Sequence, residues 1–375
     1  MREYLTVFLV AAVVTYLLGV VAREIALRTG AVARVRDRDV HAVPIPYFGG
    51  VAMLGGLGAA FLVAHRLPFL SLSDKQVFHD ARIVLLGGAM ICVLGVLDDL
   101  FELDALTKLG GQVLAAGFLV LNQVQYFAFQ IPGHGQFIPD PTQAALVSVI
   151  VVVATVNAVN FVDGLDGLAA GVVGIGAVAF FAFAYKLADV NDETLAISGA
   201  LLCAALGGAC IGFLPHNFFP ARIFMGDSGS MLIGLVLSGS ALTLTGQFAT
   251  VDMSQGAGGT QASLLPTLLP ILLPISILVV PFADLVLAVI RRTRAGRSPF
   301  APDKQHLHHR LLEIGHSHRR AVLIMWLWAA LIAFGGVLAS LYASRLTTLL
   351  LAALVVLTVV LTFVVPRVQR PRTPV

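Results

Sequence analysis

The sequence predicts an all-α, polytopic integral membrane protein. It reads as one catalytic domain over residues 1–375 with about eleven transmembrane helices, the N-terminus outside and the C-terminus cytoplasmic. Three observations predict this. Of the 375 residues, 58% are hydrophobic and 12% charged, with a mean hydropathy of +0.91; a soluble chain carries about twice that charge. The apolar residues fall in runs close to the ~20 that a helix needs to cross roughly 30 Å of hydrocarbon. The basic residues gather on one face of the resulting topology.

The first span, about 4–23, contains the run Leu5 to Ala22. That run is long for a signal-peptide core and has no convincing cleavage site, so it reads as a retained helix. Spans two to four are expected at 46–66, 81–98 and 108–123, the fourth being short. Span five, 143–160, contains the uncharged run Ala144 to Val156, and the Gly-rich span six follows at 166–186. Spans seven to eleven are 195–214, 229–248, 265–290, 321–342 and 346–366. Alternating them across the membrane puts 18 of the 24 Lys and Arg residues in the cytoplasm and 6 outside, as the positive-inside rule requires. The longest aqueous loop, about 291–320, is below the ~40 residues that an independent core needs. Chemistry must therefore occur at the membrane face. Cys92, Cys203 and Cys210 lie inside apolar runs and give neither metal spacing nor a disulfide framework.

Five polar clusters fall on the cytoplasmic face. Asn157 to Gly167, N-A-V-N-F-V-D-G-L-D-G, repeats Asn157, Asn160, Asp163 and Asp166 every three residues among glycines. Ionisable groups at membrane depth are costly and usually have a functional partner. Glycines beside them let backbone amides approach an anion or a metal-bound phosphate. D-D-L-F-E-L-D at 98–104, followed by Lys108, sets Asp98 and Asp99 side by side at a helix end. Adjacent carboxylates repel each other and oppose the helix dipole, a cost that suits a divalent metal or a general base.

In H-N-F-F-P-A-R-I-F-M-G-D-S-G-S, 216–230, Asp227 stands between Gly226 and Ser228-Gly229 just before span eight and reads as a metal ligand. If Ser228 and Gly229 open that helix, their amides point at whatever Asp227 holds. Phe224 either stacks on a flat base or packs in the core. Asp37, Arg38, Asp39 and His41 with P-I-P-Y-F-G-G at 44–50 read equally well as a basic loop shaped by Pro and Gly. The stretch 291–310 sets His306, His308, His309 and Arg310 among further arginines, a combination that grips phosphates. A polybasic strip facing anionic lipid is the plainer reading, and the histidine spacing does not match a standard zinc site. His316 and His318 read as solvated, and Asp284 inside span nine is unassigned. Carboxylates for a divalent metal, cations for phosphates and one aromatic for a base suit phosphoryl transfer between a nucleotide and a lipid phosphate.

These motifs resemble those of the polyprenyl-phosphate N-acetylhexosamine-1-phosphate transferases, glycosyltransferase family 4. The resemblance is carried by D-D-L at 98–100 with Lys108, N-A-V-N-F-V-D-G-L-D-G-L-A at 157–169, F-M-G-D-S-G-S at 224–230 and P-D-K-Q-H-L-H-H-R-L at 302–311. It implies an all-helical membrane fold, Mg²⁺ (with Mn²⁺ as a substitute), a homodimer in a bacterial inner membrane with its active site on the cytoplasmic face, a UDP-sugar donor and no nucleic acid. Catalytic roles are implied for Asp98, Asp99, Asp163, Asp166, His306, His308 and His309. Substrate binding is implied for Lys108, Asn157, Asn160, Asn217, Phe224 and Arg310, and metal binding for Asp227 and Asp99. The peptidoglycan branch, which transfers phospho-MurNAc-pentapeptide, typically has three consecutive histidines in the last loop. Here Leu307 interrupts them, which is similar to the branch that uses UDP-GlcNAc.

The expected reaction joins GlcNAc-1-phosphate to polyprenyl phosphate and releases UMP, with Asp98 or Asp99 orienting and deprotonating the lipid phosphate. A covalent aspartyl-phosphate route stays open. A transporter for an anionic solute is the alternative of another class, but transporters set their polar residues near the midplane rather than at span ends on one face. CDP-alcohol phosphotransferases need a D-G-x-x-A-R motif, which the chain lacks.

Overall fold

A computed structural model of the chain describes residues 1–32, 44–126, 129–131, 135–191, 196–245, 293–294, 315–342 and 344–363. The expected ninth span, Asp37 to His41, Asp284 and the 302–311 stretch with His306, His308, His309 and Arg310 lie outside the described residues.

Among the described residues the chain is helical apart from one small hairpin. The helices are α1 (Arg2–Thr29), α2 (Gly49–Ala64), the single turn α3 (Pro68–Ser71), α4 (Lys75–Phe101), α5 (Ala105–Leu121), α6 (Pro141–Val162), α7 (Leu168–Asn191), α8 (Ala196–Asn217), α9 (Gly226–Thr245), α10 (His318–Leu341) and α11 (Arg345–Phe363). Eight of these are long and apolar enough to cross a membrane. A helix overlaps each of the ten expected spans that fall among the described residues. α2 and α5, with 16 and 17 residues, are roughly 24–26 Å long and fall short of the usual crossing length. The hairpin pairs β1 (Phe129–Ile131) with β2 (Gly135–Phe137), Phe129 opposite Phe137. It departs from the all-helical expectation.

Local chemistry starts and stops the helices. The Asp140 side chain accepts from Thr142 N and Gln143 N, and the Gln143 side chain reaches back, a capping box with Pro141 at the first helical position. Asp104 caps α5 by accepting from Leu106 N and Thr107 N. That residue of the acidic run is thus a cap, and it starts the helix that carries Lys108 one turn further on.

α8 and α9 form the centre: 94% of the apolar window of α9 is buried, against 11% for the outermost helix α11. α1 packs on α8 and α2, α9 on α4 and α6, and α7 on α8 and α10. Small residues let the central backbones meet. A β-carbon on Gly95 of α4 would strike the backbone of Ser228 at the start of α9. The N-terminus lies at the end of the bundle opposite the acidic cluster, where the Glu3 carboxylate accepts from Phe69 N and Leu70 N, both at 2.8 Å.

Candidate active site

The ends of α4 and α6 and the starts of α5 and α9 bring the acidic motifs together. Lys108 is the hub. Its ammonium pairs with Asp98 and, at 3.0 Å, with Asp227. Asp98 is buried, and its other oxygen accepts from Leu103 N at 2.8 Å, just past the end of α4. Asp227 accepts on its second oxygen from Asn160 Nδ2 at 3.0 Å, and the same amide nitrogen donates to Ser230 Oγ at 2.9 Å.

Asp99 faces a different way. Its carboxylate accepts from Asp227 N at 2.8 Å and Ser228 N at 3.3 Å, the first-turn amides of α9. The unfavourable carboxylate at the end of one helix is thereby set at the positive N-terminus of another. Of the Ser228 and Gly229 amides expected to aim at the ligand of Asp227, that of Ser228 aims at Asp99. Gly226 makes room for the contact. It has φ 69°, and a β-carbon there would collide with the Asp99 carboxylate.

Asp163 ends α6 and keeps part of its surface exposed. Withdrawal from water, with the negative charges of Asp227, Asp99 and Asp166, pushes its carboxyl up to about 8. Asp166 is buried and accepts from Ala221 N at 2.9 Å. Asn217 is buried and uses its amide at both ends, accepting from Gly167 N and donating to Ile223 O. Both brace the 218–225 loop from within. Asn157 bonds Gln112 and Val153 O, the former at 2.6 Å. Phe224 is half-buried with its ring 6.4 Å from that of Tyr47.

Gln112 and Ser230 belong to the network without having been singled out from the sequence. Gln112 carries a findable signal: it is a carboxamide inside an apolar helix, one turn after Lys108 and buried. His316 and His318 correct another expectation. Both are buried, His316 against Thr362 O at 3.0 Å and His318 stacked on Phe219 with centroids 4.3 Å apart.

The donor set suits a hard cation. Asp98, Asp99, Asp163 and Asp227 offer only oxygen, and four carboxylates stand beside a single ammonium; Asp163 is raised first by withdrawal from water and then by the neighbouring negative charges. The oxygens are not gathered on one point: among the described residues no three His, Cys, Asp or Glu side chains form a ready cage. Lys108 supplies the bridging positive charge between Asp98 and Asp227.

A sequence profile described as glycosyl transferase family 4 matches residues 81–245, which carry this whole network. The chain is 44% identical over 367 residues to the decaprenyl-phosphate N-acetylglucosaminephosphotransferase of Mycolicibacterium smegmatis, covering 97% of this chain and 89% of that protein. The chain belongs to glycosyl transferase family 4. The protein of the same name from Mycobacterium tuberculosis is 45% identical over 361 residues, 95% of this chain and 87% of the relative. The undecaprenyl-phosphate alpha-N-acetylglucosaminyl 1-phosphate transferase of Salmonella typhi is 28% identical over 345 residues, 90% and 83% respectively. For a family 4 chain, the juxtaposition of Asp98, Lys108, Asn160 and Asp227 is where transfer chemistry is to be sought.

Proposed function

We propose that the protein transfers GlcNAc-1-phosphate from UDP-GlcNAc to polyprenyl phosphate, giving polyprenyl diphosphate-GlcNAc and UMP. The observation that carries this reading is the Asp98–Lys108–Asp227 bridge with Asn160 at one end of a membrane bundle, in a chain 44% identical to a decaprenyl-phosphate GlcNAc phosphotransferase. The site belongs to the cytoplasmic face of a bacterial inner membrane, with the N-terminus outside, as the 18-to-6 division of basic residues supports. The family resemblance supports a homodimer.

An oxygen of the lipid phosphate attacks the β-phosphorus of the donor. The bond from that phosphorus to the UMP oxygen breaks, and UMP leaves with the electron pair. Asp98 orients the acceptor phosphate and takes its remaining proton. Lys108, between Asp98 and Asp227, moves its charge onto the diphosphate as negative charge develops there. Asp227, with Asp99 through its remaining lone pairs, is the place for Mg²⁺, which when bound supplies charge neutralisation of the diphosphate. Asn160, which also donates to Ser230 Oγ, holds the Asp227 carboxylate in position, and Phe224 offers a face to the base. His306, His308, His309 and Arg310 add phosphate contacts from the last loop. Asp163 and Asp166 complete the acidic floor.

The test is incubation of purified protein with polyprenyl phosphate and a panel of UDP-sugars. UMP release with UDP-GlcNAc, and little with UDP-MurNAc-pentapeptide, is expected. The reverse preference assigns the chain to the peptidoglycan branch.

A further inference from the structure

On the loop that Asp166 holds at Ala221 N, two arginines from separate helices grip the backbone. Arg23, near the end of α1, donates from Nε to Arg222 O at 3.2 Å. Arg319, in the first turn of α10, donates from Nε to Phe219 O at 3.1 Å. Arg222 itself is exposed. Three guanidinium groups therefore surround residues 219–222. Among the described residues none of the three is paired with a carboxylate.

The loop is a firm platform. Asp166 holds Ala221 N, Asn217 holds Ile223 O, and Arg222 N donates to His216 O at 2.8 Å. Phe219 stacks on the buried ring of His318. Each anchoring arginine uses only Nε on the loop, so its two terminal nitrogens, the fork that recognises phosphate oxygens, stay available.

The two anchoring arginines also stand beside exposed apolar side chains on their helices. On α1, Tyr16, Val20 and Arg23 follow at spacings of four and three, one helix face, with Tyr16 44% and Val20 53% exposed. On α10, Leu323 lies four residues beyond Arg319 and is 49% exposed. An apolar stripe ending in a guanidinium is the profile of a lipid molecule, chains below and phosphate above. A soluble anion has no use for these apolar side chains.

We propose that Arg23, Arg222 and Arg319 form a binding site for the phosphodiester headgroup of an anionic membrane phospholipid, on the loop beyond Asp166 rather than at the Asp98–Lys108–Asp227 bridge. The bound phosphate ties α1 and α10 together across the 219–222 loop. This proposal does not depend on which sugar the protein transfers.

The experiment uses the full chain purified in detergent and offered phosphatidylglycerol or phosphatidylcholine with matched acyl chains. Retained lipid is counted by native mass spectrometry, and the thermal midpoint is recorded alongside. Wild type should retain phosphatidylglycerol preferentially and gain thermal stability from it. One basic side chain near an anionic surface is worth about fivefold, so Arg23→Gln with Arg319→Gln should cut the preference by roughly an order of magnitude. Arg222→Gln removes one charge while leaving both carbonyl bonds in place and should cut it about fivefold; it serves if the double variant does not fold. Inorganic phosphate at equal ionic strength should neither stabilise the protein nor displace the lipid. Equal retention of the two lipids by wild type overturns the proposal. So does an unchanged preference in Arg222→Gln, or displacement of the lipid by inorganic phosphate, which would make this a site for free anions.

Discussion

Lys108 Nζ lies 3.0 Å from a carboxylate oxygen of Asp227, a residue 119 positions away, and the same ammonium pairs with Asp98. One cation thus holds the ends of α4 and α9 together while occupying the space between two carboxylates. Lys108→Met should leave that pair uncompensated. Turnover should fall by 10²-fold or more. The fold should lose only about 1 kcal/mol, because solvent screens a side chain about a third exposed. Thermal melts beside initial rates check this; a large stability loss with unchanged rates would make Lys108 a structural strut alone.

Asp227→Asn keeps the size of the side chain and removes its charge. The protein should fold and lose turnover by on the order of 10²-fold or more, since an amide is a poor substitute for a carboxylate toward a hard cation. EDTA should inhibit wild type, and added Mg²⁺ should restore it. Wild-type rates for the variant at saturating Mg²⁺ would remove Asp227 from the metal site.

Gly226→Ala puts a β-carbon into the Asp99 carboxylate and a side chain at φ 69°. A cost of about 1–3 kcal/mol is expected from the strained backbone, together with loss of activity as the start of α9 shifts. Gly117→Ala in α5 meets open space within 4 Å and should be neutral or slightly stabilising. Equal melting temperatures for the two variants would contradict the assigned fit between Gly226 and Asp99.

Asp163 gives a pH signature in the metal-free protein. Its folded value, about 8, lies above the ordinary 3.8, so the native state holds an extra proton between those values. Stability therefore falls as pH rises through that window, because the unfolded chain releases the proton earlier. Asp163→Asn removes this contribution and should flatten the melting temperature between about pH 5 and about pH 8. The same slope in variant and wild type would assign the pH dependence to other groups.

Much of this was legible in the residues. Spans as apolar as 144–156 declare themselves, and carboxylates placed at span ends have no packing use, so Asp98, Asp99 and Asp227 stood out. Their division of labour was not legible. Asp99 faces α9 and Asp98 faces Lys108 because one residue along a helix turns a side chain by about 100°, and only tertiary packing decides what stands there. Asp104 looked like part of the acidic motif but is a local cap. His316 and His318 looked solvated because they are polar residues beside arginines; the ring of Phe219 and the last turn of α11 bury them. The hairpin at 129–137 escaped because two three-residue strands are too short to show a period.

The central claim is that the β-phosphate of the donor moves with its sugar to a lipid phosphate. UDP-GlcNAc carrying ³²P in the β-position, incubated with the purified protein, Mg²⁺ and polyprenyl phosphate, tests it most directly. The label should pass into the organic phase on polyprenyl diphosphate-GlcNAc while unlabelled UMP stays in water. Label recovered in water as UDP, with the sugar alone on the lipid, would contradict the account.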